Sequence, residues 1–166
     1  ATTTSIFLES AYFNSTSVRK SSKRHGLKTD ASFRFERGTD PNITVFALKR
    51  AALLIKEIAG GKVSSDIIDI YPNPIENFKV PFSFEKCDQL IGKHIDIELI
   101  KTILTSLDIE IEHEGHDAHL LSVPPFKVDV TREQDVIEEV LRIYGYNNIE
   151  IPTALNSSLS FAEKPD

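Results

Sequence analysis

The chain has 166 residues, of which 40% are hydrophobic and 27% charged, with a formal net charge of −6. This is the make-up of an ordinary globular protein long enough to bury a core as one or two domains. No apolar run approaches the roughly 20 residues that cross a bilayer, no signal peptide opens the chain, and a single cysteine, Cys87, excludes a disulfide framework or a cysteine zinc knuckle.

In chain order, "TSIFLES" (residues 4–10) alternates its faces and predicts a short strand. "NSTSVRKSSKRHG" (14–26) has a capping residue, a basic middle and a terminal glycine, which predicts a short helix. "TDASFRFERG" (29–38) predicts another, stopped by Gly38. In "DPNITVFALKRAALLIKEIAGG" (40–61), Asp40 can cap, Pro41 suits the first helical turn and the glycine pair ends the helix. Val45, Leu48, Ala52, Ile55 and Ala59 recur at helical spacing, so one face is expected to be core. "KVSSDIIDIYP" (62–72) then predicts a returning strand. The prolines of "YPNPIENF" (71–78) mark a linker.

Beyond it, "KVPFSF" is extended, "EKCDQLIG" (85–92) is a short helix, and "DIELIKTILTSLD" (96–108) is a longer one capped by Asp96. "IEIEHEGHDAHLLSV" (109–123) predicts a hairpin, and "REQDVIEEVLRIYGY" (132–146) a third helix. Helices plus a hairpin in about 75 residues outline a winged-helix-like unit, so the fold class expected is α+β. Residues 151–166 show no periodicity and read as a tail leading to a further segment. Absence of methionine, even at position 1, predicts a start cut or processed from something longer.

Charge divides the chain in the same way. Residues 1–50 hold nine Lys/Arg against four Asp/Glu, and residues 51–166 hold ten against twenty-one. The basic part could face phosphate; residues 76–150, with seven against sixteen, are poor candidates for binding duplex DNA.

Three clusters invite chemistry. On the third predicted helix, Val136, Ile137, Val140, Leu141 and Tyr144 form an apolar face, and Asp135, Glu138, Glu139 and Arg142 fall opposite. With Asp129 these carboxylates suit either magnesium, a hard cation, or a wet helix face on which Glu138 pairs with Arg142. His113, His116 and His119 could ligate zinc, but a hairpin tip splits them between faces, so a solvated turn is expected. "VRKSSKRHGLK" (18–28) carries five Lys/Arg and either touches phosphate or is a solvated face. No glycine-rich phosphate loop and no Ser-His-Asp arrangement occurs.

Two stretches, "LESAYFN…VRKSSKRHGLKTDASFRFERGTDP" and "VPPFKVDVTREQDVIEEVLRIYGYNNI", resemble the β chain of bacterial-type phenylalanyl-tRNA synthetase. The resemblance covers nearly the whole chain. It implies the C-terminal part of a B3/B4 editing module of α/β type over residues 1–72, and a winged-helix-like B5 domain over 76–150. The editing site of that family hydrolyses tyrosine mistakenly attached to the phenylalanine tRNA, and its residues match Glu9, Thr29 and Ala31. A buried carboxylate accepting the phenolic hydroxyl would separate tyrosine from phenylalanine far better than an apolar pocket. The resemblance further implies magnesium ligands at Asp129, Asp135, Glu138 and Glu139, with the ion shared with the α chain. That chain holds the ATP-dependent synthetic site of an α2β2 cytoplasmic enzyme. Lys127 stands where the family usually has arginine; lysine keeps the positive charge but lacks the planar fork that binds a carboxylate through two parallel hydrogen bonds.

Overall fold

A computed structural model of the chain describes residues 2–115 and 118–150. The predicted helices form. Helix α1 is Ser15–His25, with the Asn14 side chain accepting from Ser17 N at 3.0 Å. Helix α2 is Asp30–Phe35, opened by a reciprocal cap between Thr29 and Ser32. The long predicted helix begins as a 3₁₀ turn, Pro41–Ile43, and continues as α3, Thr44–Ala59. The side chain of Asp40 accepts from Asn42 N, the capping role its position suggests.

The expected strands over residues 4–10 and 62–72 do not form; both segments run without regular structure. A strand is held by its ladder, and among the described residues no neighbouring chain offers these segments N–H and C=O partners. The expected core face of α3 is likewise only the less exposed side of the helix. Val45, Leu48, Ala52 and Ile55 are half-buried, Ala59 is exposed and none is buried. The first part therefore has helices but, among the described residues, no strand of the α/β segment that was expected.

The core lies in the second part. Strand β1 (Phe78–Phe82) leads into α4 (Phe84–Ile91) and α5 (Ile97–Ser106); β2 (Glu110–Glu114) and β3 (His119–Val123) follow, then α6 (Glu133–Tyr144) and a 3₁₀ turn, Tyr146–Asn148. The sheet is antiparallel in the order β1-β3-β2, with Val80 opposite Leu121 and Ile111 opposite Leu121 from the other side. A register shift between Ile111 and His113 marks a bulge in β2.

Every buried hydrophobic residue among those described lies between Val80 and Val140. Alternate residues of β1 and β3 (Val80, Phe82, Leu121, Val123) meet Ile100 and Leu104 of α5 and Val136, Ile137 and Val140 of α6. At roughly 1.5–3 kcal/mol per fully buried aliphatic or aromatic side chain, this cluster is the chief stabilising element of the molecule. Helices and a small antiparallel sheet together make the α+β class that the sequence predicts.

Polar contacts fix the helix ends around this core. Glu133 Oε1 accepts from Ser83 N at 2.9 Å, tying the start of α6 to the start of α4. Asp88 accepts from Ile95 N at 3.0 Å and from the His94 ring, bracing the α4–α5 turn. The two parts touch where Gly38, at φ +91°, lies so close to Val128 that a Cβ there would fall 2.7 Å from Cγ2. Only glycine fits both that backbone angle and that approach.

Candidate functional site

The acidic side of α6 carries three of the four carboxylates singled out by the sequence. Asp135 turns back over the helix N-terminus. Its Oδ2 accepts from Thr131 N at 3.2 Å and Arg132 N at 2.9 Å, and the Arg132 guanidinium reaches both oxygens at 3.2 and 2.8 Å. That guanidinium, seconded by the two backbone N–H groups, holds the Asp135 carboxyl below the usual aspartate range.

Glu139 is clamped from two sides. Arg142 donates through Nε to Oε1 at 3.1 Å and through Nη2 to Oε2 at 2.8 Å, and Lys127 Nζ reaches Oε2 at 3.2 Å. Arg142 first and Lys127 second hold its carboxyl below the ordinary glutamate range. The i,i+4 pair expected between Glu138 and Arg142 is thus replaced by a bidentate i,i+3 pair with Glu139, whose shorter step suits the arginine fork. Glu138 and Asp129 are exposed.

Among the described residues no group of three or more histidine, cysteine, aspartate or glutamate side chains converges as a metal site. With Asp135 and Glu139 already neutralised by three cationic side chains, the four carboxylates do not close a cation shell by themselves.

The residues of the first part are placed differently. Thr29 caps α2: its hydroxyl accepts from Ser32 N at 3.1 Å, and Ser32 Oγ accepts from Thr29 N at 2.9 Å. It also lines an open groove of about 500 Å³ together with Ser17, Ser21, Ser32 and His25 and the apolar Phe13 and Leu27. Ala31 and Glu9 are exposed and are not among the groove's lining residues. The structure thus brings Thr29 to a concave surface and leaves the carboxylate of Glu9 in solvent.

His116 lies outside the described residues, and the other two histidines do not form a pair. His113 is exposed on β2, while His119, on β3, packs its ring 4.6 Å from Phe84. Half-buried rather than solvated, His119 has an Nδ1 that is buried without a hydrogen-bond partner among the described residues. Packing against the ring of Phe84, at the start of α4, accounts for the difference. Cys87 is fully buried and its thiol is pushed up to about 12, by burial first and then by Asp88 and Glu133, which leaves it inert.

Sequence reasoning missed Glu133 as the brace between α6 and α4 and the Lys127–Glu139 contact. The first had a signal in the Arg-Glu-Gln-Asp run at a helix start. The second joins residues twelve apart across a turn, beyond any helical spacing rule.

No helix among the described residues is long and apolar enough to cross a membrane. Residues 1–60 match the B3/4 domain family and residues 80–146 the tRNA synthetase B5 domain family. The chain is 58% identical over 158 residues to a phenylalanine–tRNA ligase beta subunit of Bacteroides fragilis, which covers 95% of this chain and 19% of that protein. It is 49% identical over 164 residues to the beta subunit of Porphyromonas gingivalis (99% and 20%), and 42% over 163 residues to that of Geobacter metallireducens (98% and 20%). The chain spans about a fifth of the length of the curated relatives it matches. With two domain families matched in succession and relatives of one kind aligned along nearly its whole length, the chain belongs to the phenylalanine–tRNA ligase beta-subunit family.

Proposed function

We propose that the chain works as part of the beta subunit of an ATP-dependent, cytoplasmic enzyme that joins phenylalanine to its tRNA, as two units spanning residues 1–72 and 76–150, the second winged-helix-like. The observation that carries this reading is the succession of B3/4 and B5 matches in one chain. Residues 151–166, the expected lead into a further segment, lie outside the described residues.

In the first unit, Thr29 and the groove it lines form part of a pocket that receives tyrosine mistakenly attached to the tRNA, with Ala31 leaving room for the ring. Glu9 is its acceptor for the phenolic hydroxyl, and that role requires burial by further protein, because the carboxylate is exposed here. A desolvated acceptor rejects phenylalanine, which would leave it unpaired. Hydrolysis also needs a positioned water, for which Thr29 and Ala31 supply no base and Glu9 is committed to the phenolic hydroxyl. In the assembled two-subunit ligase, Thr29→Trp is expected to cut Tyr-tRNA hydrolysis by at least ~10-fold, one order of magnitude per about 1.4 kcal/mol of barrier, while Phe-tRNA formation is retained. The 166-residue chain alone is expected to leave Tyr-tRNA intact. Unchanged hydrolysis in the variant, or robust hydrolysis by the chain alone, would sink this assignment.

In the second unit, Asp129, Asp135, Glu138 and Glu139 are this chain's contribution to a magnesium shell completed by the α chain. Magnesium takes oxygen ligands and retains waters, supplying positive charge at the subunit boundary. What supports this reading is that Asp135, Glu138 and Glu139 share one side of α6; among the described residues no group of three or more candidate ligands converges without a partner. Calorimetric titration of magnesium into the 166-residue chain is therefore expected to show no tight binding; micromolar affinity would contradict a shell completed by the partner. A stand-alone DNA-binding role is disfavoured, because each of the seven Lys/Arg of residues 76–150 already has a protein partner.

A further inference from the structure

Engagement of the cations differs between the two parts of the chain. In residues 76–150 all seven are engaged: Lys79 by Glu112, Lys86 by Glu133, Lys93 by Asn148 O, Lys101 by Glu98, Lys127 and Arg142 by Glu139, and Arg132 by Asp135. On α1 and the turn after it, Lys20, Lys23, Arg24 and Lys28 are exposed, and none has a hydrogen-bond or ion-pair partner among the described residues. In the first part Arg34, Lys49, Arg50, Lys56 and Lys62 also have no side-chain partner among the described residues, but only α1 and its following turn gather four such cations with no acidic residue between them. No acidic residue occurs between Asn14 and Thr29.

The helix that carries them is held in place. Arg19 Nη2 donates to Glu36 O at 3.3 Å, anchoring α1 to the end of α2. Past Gly26, at φ +64°, Leu27 N returns to Ser22 O at 3.1 Å and Ser22 Oγ donates to Leu27 O at 2.5 Å. The helix also divides by face. Asn14, Ser17, Ser21 and His25, at helical spacing, line the groove, whereas Lys20, Lys23 and Arg24 are not among its lining residues. Complementing the helix dipole accounts for basic residues in the last turn, but not for Lys20 in the middle or Lys28 beyond the end. Four like charges on a rigid short element repel one another, and an anion with repeating charge relieves that repulsion.

We infer that the basic face of α1, with Lys20, Lys23, Arg24 and Lys28, is a docking surface for the phosphate backbone of RNA, and that it holds the tRNA while its acylated end enters the groove on the other side of the helix. This rests on the reading of the first unit as a tRNA-editing segment; the surface itself rests on unpartnered charge alone. An 11-residue helix is about 16 Å long, enough for a few phosphates.

The test is fluorescence anisotropy of the 166-residue chain with a labelled single-stranded RNA across a salt series. Each phosphate neutralised contributes about −0.7 to the slope of log K against log salt for a single strand, so a slope of roughly −2 to −3 is expected. The triple substitution Lys20→Ala, Lys23→Ala, Arg24→Ala is expected to weaken binding at low salt by at least ~10-fold and to flatten the slope by about 2. Alanine favours helix, so circular dichroism should report α1 intact. Lys79→Ala, at a cation already engaged by Glu112, is expected to leave RNA binding unchanged. RNA binding that the triple variant does not alter, no binding at low salt, or tighter binding of duplex DNA would each overturn the inference. The editing reading fails separately: if the unmodified ligase assembly does not hydrolyse Tyr-tRNA while the triple variant still loses RNA affinity, the surface stands and the editing role falls.

Discussion

Replacing Phe82 with alanine is expected to destabilise the protein by about 3–5 kcal/mol, the range for truncating a fully buried aromatic residue. Phe82 has no exposed surface, closes β1 and meets Phe84 edge-to-face at 5.4 Å between ring centres. Truncation removes the apolar transfer energy of the ring, opens a cavity that the surrounding strands and helices can only partly fill, and deletes an aromatic pair worth about 0.5–1.5 kcal/mol beyond its area. Domains of this kind hold only about 5–15 kcal/mol in all, so the loss is a large share of the total. With a urea slope of about 1–3 kcal/mol/M, the unfolding midpoint should fall by more than ~1 M. Because the buried hydrophobic residues lie between Val80 and Val140, the cooperative part of the unfolding transition is expected to come from this core. A loss below about 1 kcal/mol would show that β1 is not packed as described.

What the sequence made legible follows from how local each signal is. The helices that end before Gly26 and Gly92 were readable from those terminal glycines, and the helices after Asn14 and Asp96 from their capping residues. The buried triad Val136, Ile137 and Val140 came from helical spacing alone. Residues 4–10 and 62–72 show the opposite case. Their alternation is genuine, but a strand exists only when another strand pairs with it, and that partner is no property of the segment itself. The apolar side of α3 fails for the same reason: periodicity says which face is apolar, and not whether anything covers it.

The candidate site divides along the same line. The acidic side of α6 could be drawn from spacing, but the identity of its counter-ions could not, because Arg132 reaches Asp135 around the helix start and Lys127 reaches Glu139 from the preceding turn. Thr29 was legible as the start of a helix from the run it opens, whereas the solvent exposure of Glu9 depends on what packs above it. Motif resemblance supplied the roles of these residues, and geometry supplied the constraint that the carboxylates of α6 are already charge-paired.

Lys127→Met is expected to cost about 2 kcal/mol at neutral pH, between the 0–1 kcal/mol of exposed ion pairs and the 3–5 kcal/mol lost when a fully buried pair is broken. The side chains of Lys127 and Glu139 are only 12% and 18% exposed, but Glu139 keeps Arg142 after the change. Methionine preserves the apolar stem that a lysine packs, so the substitution isolates the charge. The pH dependence follows from the direction of the shift. Glu139 has its carboxyl held below the ordinary glutamate range, so its contribution is complete above that range and is lost as pH falls through the depressed value. Removing Lys127 weakens that depression, because the lysine is the second of the two cations that cause it. The stability difference between the parent protein and the variant should therefore be largest near neutral pH, shrink as pH falls through the depressed range of Glu139, and vanish once Glu139 is protonated in both proteins. Urea midpoints at three pH values measure it. A difference independent of pH would mean that Lys127 acts through its packed stem, and the ammonium would then be no part of what holds Glu139 against α6.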